Sequence, residues 1–258
     1  MKIIDCHTHA VNQEVYDQLK SKNLLDAFVG IRCDSYMMED EEFYEMANKD
    51  PKYYVLEKIN VYEGIEYHFE RIKKLYEKHP NKIIGIKLYP GYDPIYPDDE
   101  RLYPVYDFAL EHNLTIVYHN GMVADDEHMA SLKYAHPLCV DDIAIKYPNL
   151  RFVISHLGFP HMMDAAAVVE KNKNVYTDFS GIILTDGLST KQLIEDLRRV
   201  LNYFPILVDK MMFGTDYFGN DSDYNNIEHY ITLVESLFND DDKKKIYYEN
   251  FYKAYNIK

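Results

Sequence analysis

The sequence has no tryptophan and only three cysteines, Cys6, Cys33 and Cys139. They are far apart and odd in number, which fits a reducing compartment, the cytoplasm, better than a disulfide framework. Basic residues are scarce: 28 Lys+Arg stand against 43 Asp+Glu, a formal charge of -15. Such a surface repels polyanions, so neither nucleic acid nor an acidic membrane is an expected partner. No apolar run approaches the roughly 18 to 20 residues of a membrane span, and the first residues, MKIIDCHTH, read as a strand rather than as a secretion signal. Gly/Ser linkers, low-complexity tracts and repeats of fixed period are missing too, so residues 1–258 read as one domain. Tyrosine, by contrast, is plentiful at 25 residues, and is read as filling amphipathic positions.

Short apolar runs rich in β-branched residues alternate with helical patterns, the rhythm of parallel strands joined by crossover helices. The expected strands are Lys2–His9, Ala27–Cys33, Tyr53–Val61, Lys82–Tyr89, Thr115–His119, Arg151–His156, Asn174–Phe179 and Lys210–Asp216. Helices are expected at Gly64–Lys78, Leu102–Glu111, Cys139–Lys146, Met162–Lys171 and Lys191–Asn202, among others. Eight strands in roughly 250 residues match a (β/α)8 TIM barrel, with a doubly wound open sheet as the alternative. The acidic stretches Met38–Glu42 and Asp240–Asp242 read as solvated helix starts.

The first strand ends Asp5-Cys6-His7-Thr8-His9. Side chains alternate along a strand, so His7 and His9 share a face and can bite one metal ion, while Ile4, Cys6 and Thr8 are expected to face the helices. One such pair is an ambiguous signal. Three further residues sharpen it, each closing an expected strand: His119, His156 and Asp216. Catalytic residues of a TIM barrel come from these carboxyl ends. Imidazoles joined by a carboxylate suit zinc, with manganese, cobalt or nickel tolerated.

Lys87 lies in IIGIKLYP, where Ile84, Ile86 and Leu88 would form an outward apolar face and direct the lysine inward. A lone inward lysine must be paired, deprotonated or modified. Two readings stand: carboxylation by carbon dioxide, which makes it a bridging ligand for two ions, or an ordinary lysine contacting Asp5, Asp178 or a substrate carboxylate.

These segments resemble the amidohydrolase superfamily, in particular the branch of metal-dependent TIM-barrel hydrolases and decarboxylases related to aminocarboxymuconate semialdehyde decarboxylase. The resemblance rests on IDCHTH at Ile4, GIKLYP at Gly85, IVYHNG at Ile116, YAHPLCVDDIAIKYPNLRFVISHLG at Tyr134, NVYTDFSG at Asn174 and FGTDYF at Phe213, in the family's order across almost the whole chain. It implies that His7, His9, His119 and Asp216 ligate a metal. It also implies that His156 helps activate water or bind the substrate or, in a two-metal form made conceivable by Lys87, holds a second ion.

The expected function is therefore hydrolysis of a small amide, lactone or related carbonyl substrate by metal-activated water, with Asp216 and His156 catalytic. The alternative is nonoxidative decarboxylation of an unsaturated or aromatic carboxylic acid at the same site. Tyr89, Asn120, Arg32 and Tyr217 lie just beyond expected strand ends and are candidates for substrate contact. His136 and His161 fall in expected loops, and His68, His79, His112, His128 and His229 read as ordinary helix or surface residues. A small molecule is the expected partner, and a homodimer is left open.

Overall fold

The computed structural model describes residues 1–33, 38–123, 130–182, 190–219 and 226–257. Eight parallel strands follow one another around a nearly closed barrel in the order β1 to β8. They are β1 (Ile4–Thr8), β2 (Ala27–Ile31), β3 (Tyr53–Lys58), β4 (Ile83–Leu88), β5 (Thr115–Tyr118), β6 (Arg151–Ile154), β7 (Val175–Asp178) and β8 (Met211–Met212). The last strand meets the first through Cys6 N–H to Phe213 O at 2.9 Å and Asp216 N–H to His7 O at 2.8 Å. The helices are α1 (Gln13–Ser21), α2 (Asp40–Lys49), α3 (Ile65–Lys78), α4 (Tyr103–Glu111), α5 (Cys139–Lys146), α6 (Met162–Lys171), α7 (Thr190–Tyr203), α8 (Ile227–Leu237), α9 (Asp240–Lys244) and α10 (Asn250–Tyr255). This is the TIM barrel expected from the alternation of strand and helix patterns. Among the described residues no helix is long and apolar enough to cross a membrane.

The strands are shorter than expected at their carboxyl ends. His9, Cys33, His119, His156 and Asp216 all lie past the last residue of their strands. There regular pairing gives way to single backbone contacts, such as His119 N–H to Leu88 O at 2.9 Å and His9 N–H to Tyr217 O at 2.6 Å. Local signals fix several helix starts: Asn12, Asn226 and Asn239 each accept a backbone N–H in the first turn with the side-chain oxygen. The acidic residues Asp40–Glu42 and Asp240–Asp242 fill first turns, where they complement the helix dipole.

Two apolar layers hold the barrel. Alternate strand residues such as Phe28, Val55, Ile86, Ile116 and Phe152 pack outward against the helices. The other set, including Val29, Leu56, Val117, Val153 and Met212, fills the barrel, and Phe251, Ala254 and Tyr255 of α10 pack against it. Thr115, the first residue of β5, donates from Oγ1 to Ala254 O at 2.8 Å, so α10 closes the amino-terminal end of the barrel.

The inner layer corrects one expectation. Ile4 and Cys6 face the interior, not the helices. The register of β1 against β2 shifts between Asp5 and Thr8, which resets the alternation, so Cys6 and His7 both serve the inside. A similar shift beside Ile84 turns that residue inward, while Ile86 and Leu88 pack outward and Lys87 is inward as expected.

Candidate metal centre

At the carboxyl end of the barrel, β1, the loop after β8 and the turn after β6 converge. His7 Nε2 and His9 Nε2 stand 3.4 and 3.1 Å from the same oxygen, Oδ1 of Asp216. The ring of His156 lies 4.9 Å from that of His7, and the ring of His119 lies 4.8 Å from that of His156. His119 Nδ1 and His156 Nε2 face each other at 3.1 Å.

The outer nitrogen of each ring decides what the inner one carries. His9 Nδ1 donates to Ile31 O at 3.1 Å, His156 Nδ1 to Ser180 O at 2.9 Å and His119 Nε2 to Met122 O at 2.8 Å. Ser180 Oγ gives its proton to Asp178 Oδ1 at 2.5 Å and accepts from His7 Nδ1 at 3.0 Å, with Asp178 Oδ2 at 3.3 Å from the same nitrogen. A neutral imidazole has one N–H. The inner nitrogens of His7, His119 and His156 therefore present lone pairs, and two of these meet head-on between His119 and His156, while His9 Nε2 lies 3.1 Å from Asp216 Oδ1. Carbonyl and carboxylate partners on the outer nitrogens are the usual supports of metal-ligating histidines.

Electrostatics agrees. Burial drives His7 down to about 4, with Lys87 pushing the same way and Asp178 opposing. Burial likewise lowers His119 and His156, helped at His119 by His156 and Lys87. Burial disfavours charge on His9, but Cys33 and Asp216 outweigh it and hold that ring up to about 10. Positive charge is thus favoured at His9 Nε2, where a divalent ion would supply it in place of a proton. Burial would raise Asp216, yet His9, His7 and His156 keep its carboxylate well below the usual range. The donor set fits a borderline divalent cation: His7, His9 and Asp216 as one group, with His119 and His156 as an adjoining pair.

Backbone strain accompanies the site. His156, Leu157 and Asp216 have φ of 61, 46 and 63°, the left-handed region that residues other than glycine seldom enter. Gly181 makes the close approach feasible, since a Cβ there would lie 3.0 Å from both Asp216 Oδ2 and His156 Nδ1.

The other candidates divide. Lys87 is fully buried and donates to Ser155 Oγ at 2.8 Å. Among the described residues no carboxylate lies within 4.0 Å of it, so the expected contact with Asp5 or Asp178 is not made, although both Asp178 and Asp216 act on it electrostatically. Tyr89 lines the site, its ring 6.5 Å from His119 and nearly parallel, its hydroxyl donating to Arg32 O at 3.1 Å. Asn120 is buried and donates to Ala135 O at 3.2 Å, bracing the loop beside His119. Arg32 and Tyr217 turn away. Ile31 points inward, so Arg32 points outward, paired with Asp40 at 2.7 Å and lying over the Phe43 ring. Tyr217 packs toward α1, its hydroxyl 3.5 Å from Gln18. His128 lies outside the described residues.

Sequence reasoning overlooked Asp178 as a site residue, although it closes β7 by the same strand-end rule that found the others. Asp178 also accepts from His156 N–H at 3.0 Å and so ties His7 to His156. Cys33, just past β2, also carries no local signal of a site role, yet it interacts with His9. Asp5 was likewise missed as a support: it accepts from His7 N–H at 3.1 Å and from Thr215 Oγ1 at 2.6 Å.

Eight parallel strands that gather four imidazoles and two carboxylates at their carboxyl ends define a (β/α)8 barrel with a candidate metal site. The amidohydrolase family profile matches residues 4–257, and the chain belongs to that family. No curated protein matches it. Among solved structures, a probable 2-pyrone-4,6-dicarboxylic acid hydrolase from Acinetobacter baumannii with citric acid bound has a TM-score of 0.70 at 13% identity, covering 100% of both chains. An amidohydrolase from Burkholderia multivorans with bound zinc has a TM-score of 0.67 at 14% identity, again over 100% of both chains. A 5-carboxyvanillate decarboxylase from Sphingomonas paucimobilis has a TM-score of 0.58 at 13% identity, covering 94% of this chain and 83% of the other. At these identities the likeness is one of fold.

Proposed function

We propose that the protein is a metal-dependent hydrolase that uses water to open an amide, lactone or related carbonyl bond of a small molecule, with zinc as the ion best matched to its donors. One observation carries this reading: the neutral imidazoles of His7, His119 and His156 turn lone pairs inward beside His9 and a carboxylate held ionised, with His7, His9 and Asp216 close enough to share one ion. A divalent ion in such a site lowers the pKa of bound water from about 15.7 towards 7 and polarises a carbonyl.

The chain's own residues then divide the proton work. Asp216 accepts the proton of the attacking water as its oxygen bonds to the carbonyl carbon, and returns that proton to the leaving nitrogen or oxygen as the old bond breaks. His156 presents Nε2 beside the reacting centre and is held in that orientation by Ser180 O. Tyr89 walls the site next to His119. The zinc-bound amidohydrolase and the probable dicarboxylic acid hydrolase among the structural relatives support the reading.

A carboxy-lyase is the competing reading, and Lys87 is the residue that favours it. Its amine, bonded to Ser155 and buried beside the site, is placed to receive a substrate carboxylate. Turnover of a panel of lactones, amides and unsaturated carboxylates in ¹⁸O-labelled water separates the two. Hydrolysis places labelled oxygen in the product without carbon dioxide release. Metal- and His156-dependent carbon dioxide evolution with no hydrolysed product overturns it.

A further inference from the structure

His136 and His161 are absorbed by none of this chemistry, yet they meet. Their rings lie 4.4 Å apart, and His136 Nε2 stands 3.6 Å from Asp164 Oδ2. One ligand atom from each of the three residues falls within 4.8 Å of the other two. His136 comes from the loop between β5 and α5, His161 from the residue before α6, and Asp164 from the first turn of α6. Among the described residues the His161 side chain makes no hydrogen bond; it is exposed, and His136 and Asp164 are partly buried.

We propose that His136, His161 and Asp164 form a second, surface site for a divalent transition metal ion, separate from the buried centre, which clips the loop after β5 to the start of α6. The geometry is close to what an ion needs. Metal–ligand bonds of about 2.0–2.1 Å in a tetrahedral arrangement set donors about 3.4 Å apart, and the His136–Asp164 spacing is 3.6 Å. Two imidazole nitrogens with one carboxylate oxygen select zinc, cobalt, nickel or copper, whereas calcium and magnesium prefer all-oxygen shells. Water completes the coordination. Binding has a local cost: His136 Nδ1 accepts from Leu138 N–H at 3.4 Å, and coordination through Nε2 places the ring proton on Nδ1 and breaks that long contact.

The clip acts on the frame of the buried centre. Ala135 O, next to His136, accepts from Gly121 N–H at 2.9 Å and Asn120 Nδ2 at 3.2 Å. Phe159 O, two residues before His161, accepts from Met122 N–H at 2.8 Å, and Met122 O holds His119 Nε2. Gly121, at φ 97°, has no room for a Cβ, which would sit 2.0 Å from Phe159 O. The two loops joined by the ion are therefore the two that orient His119. An ion at the rim stiffens that seat without touching the reacting atoms.

The test counts ions. Chelator-stripped wild type, His161→Ala and His9→Ala are equilibrated with micromolar free zinc, freed of unbound metal and assayed for zinc per chain, with circular dichroism confirming the fold. The proposal expects wild type to hold one equivalent more than His161→Ala. It also expects His9→Ala to retain a rim ion that the His9→Ala/His161→Ala double variant loses. Cobalt substitution should show a visible d–d band that His161→Ala removes in part. Equal zinc in wild type and His161→Ala, with identical cobalt spectra, overturns the rim site. That result leaves the buried centre untouched, because the His9→Ala arm reads it separately.

Discussion

The two ends of the barrel are made by the same eight strands and have opposite characters. At the amino-terminal end, Ile4, Cys6, Val29, Val117 and Val153 meet Phe251 and Tyr255 of α10 in an apolar plug. A few residues further along the same strands, His7, His9, His119, His156, Asp178 and Asp216 crowd together, every one either buried or largely so. The plug gains from each buried carbon. The polar end desolvates ionisable groups and places His156, Leu157 and Asp216 in left-handed backbone, a strain of about 1–3 kcal/mol each. Stability and chemistry are thus separated along the strand axis, and the plug offsets what the site costs. In β1 the boundary falls at one step of sequence: Cys6 belongs to the plug and His7 to the site, because the register shift turns both inward.

If that division holds, changes at the two ends have separable effects. The largest is expected for Asp216→Asn, which preserves volume and removes the proton acceptor: turnover falls by about 10²–10⁴-fold in a chain that circular dichroism shows to be still folded. A variant with a tenth of wild-type turnover removes Asp216 from the proton-transfer role. At the opposite end, Phe251→Ala opens a cavity in the plug and costs about 3–5 kcal/mol in chemical denaturation, with bound metal per folded chain unchanged. Loss of metal in a still-folded Phe251→Ala would show that the ends are coupled.

Lys87, at the boundary, gives the smallest and most pH-sensitive effect. Burial lowers its amine from 10.5 to about 8. Between those values the unfolded chain holds a proton that the folded chain has released, so stability rises with pH there, and the cost of burying the charge is fully in force below about 8. Lys87→Met removes that cost. Its stability advantage over wild type, measured by urea unfolding, is expected to be greatest near neutrality and to shrink as pH climbs through that window. A gap that stays constant with pH would mean that Lys87 is not a buried amine.

The eight strands were legible because each is a short apolar run in a helical surround, and their histidines and aspartate were legible because each closes such a run. Facing was harder to read. Strict alternation put Ile4 and Cys6 against the helices, and a bulge, which leaves no mark in a string such as IIDCHTH, reversed them. Arg32 and Tyr217 stood at the right places along the chain and the wrong places around it. Asp178 was concealed differently: it hydrogen-bonds through its oxygens to residues from β1 and the turn after β6, contacts that only the closed barrel assembles. The rim cluster joins His136 to residues 25 and more positions away in sequence, a proximity no local pattern encodes.

The buried centre itself is tested most directly by anomalous scattering from crystals grown with zinc, recorded on both sides of the zinc absorption edge. The account predicts a peak about 2.0–2.2 Å from His7 Nε2, His9 Nε2 and a carboxylate oxygen of Asp216. Zinc-grown crystals with no peak among those three side chains, and with His9 still hydrogen-bonded to Asp216, would contradict it.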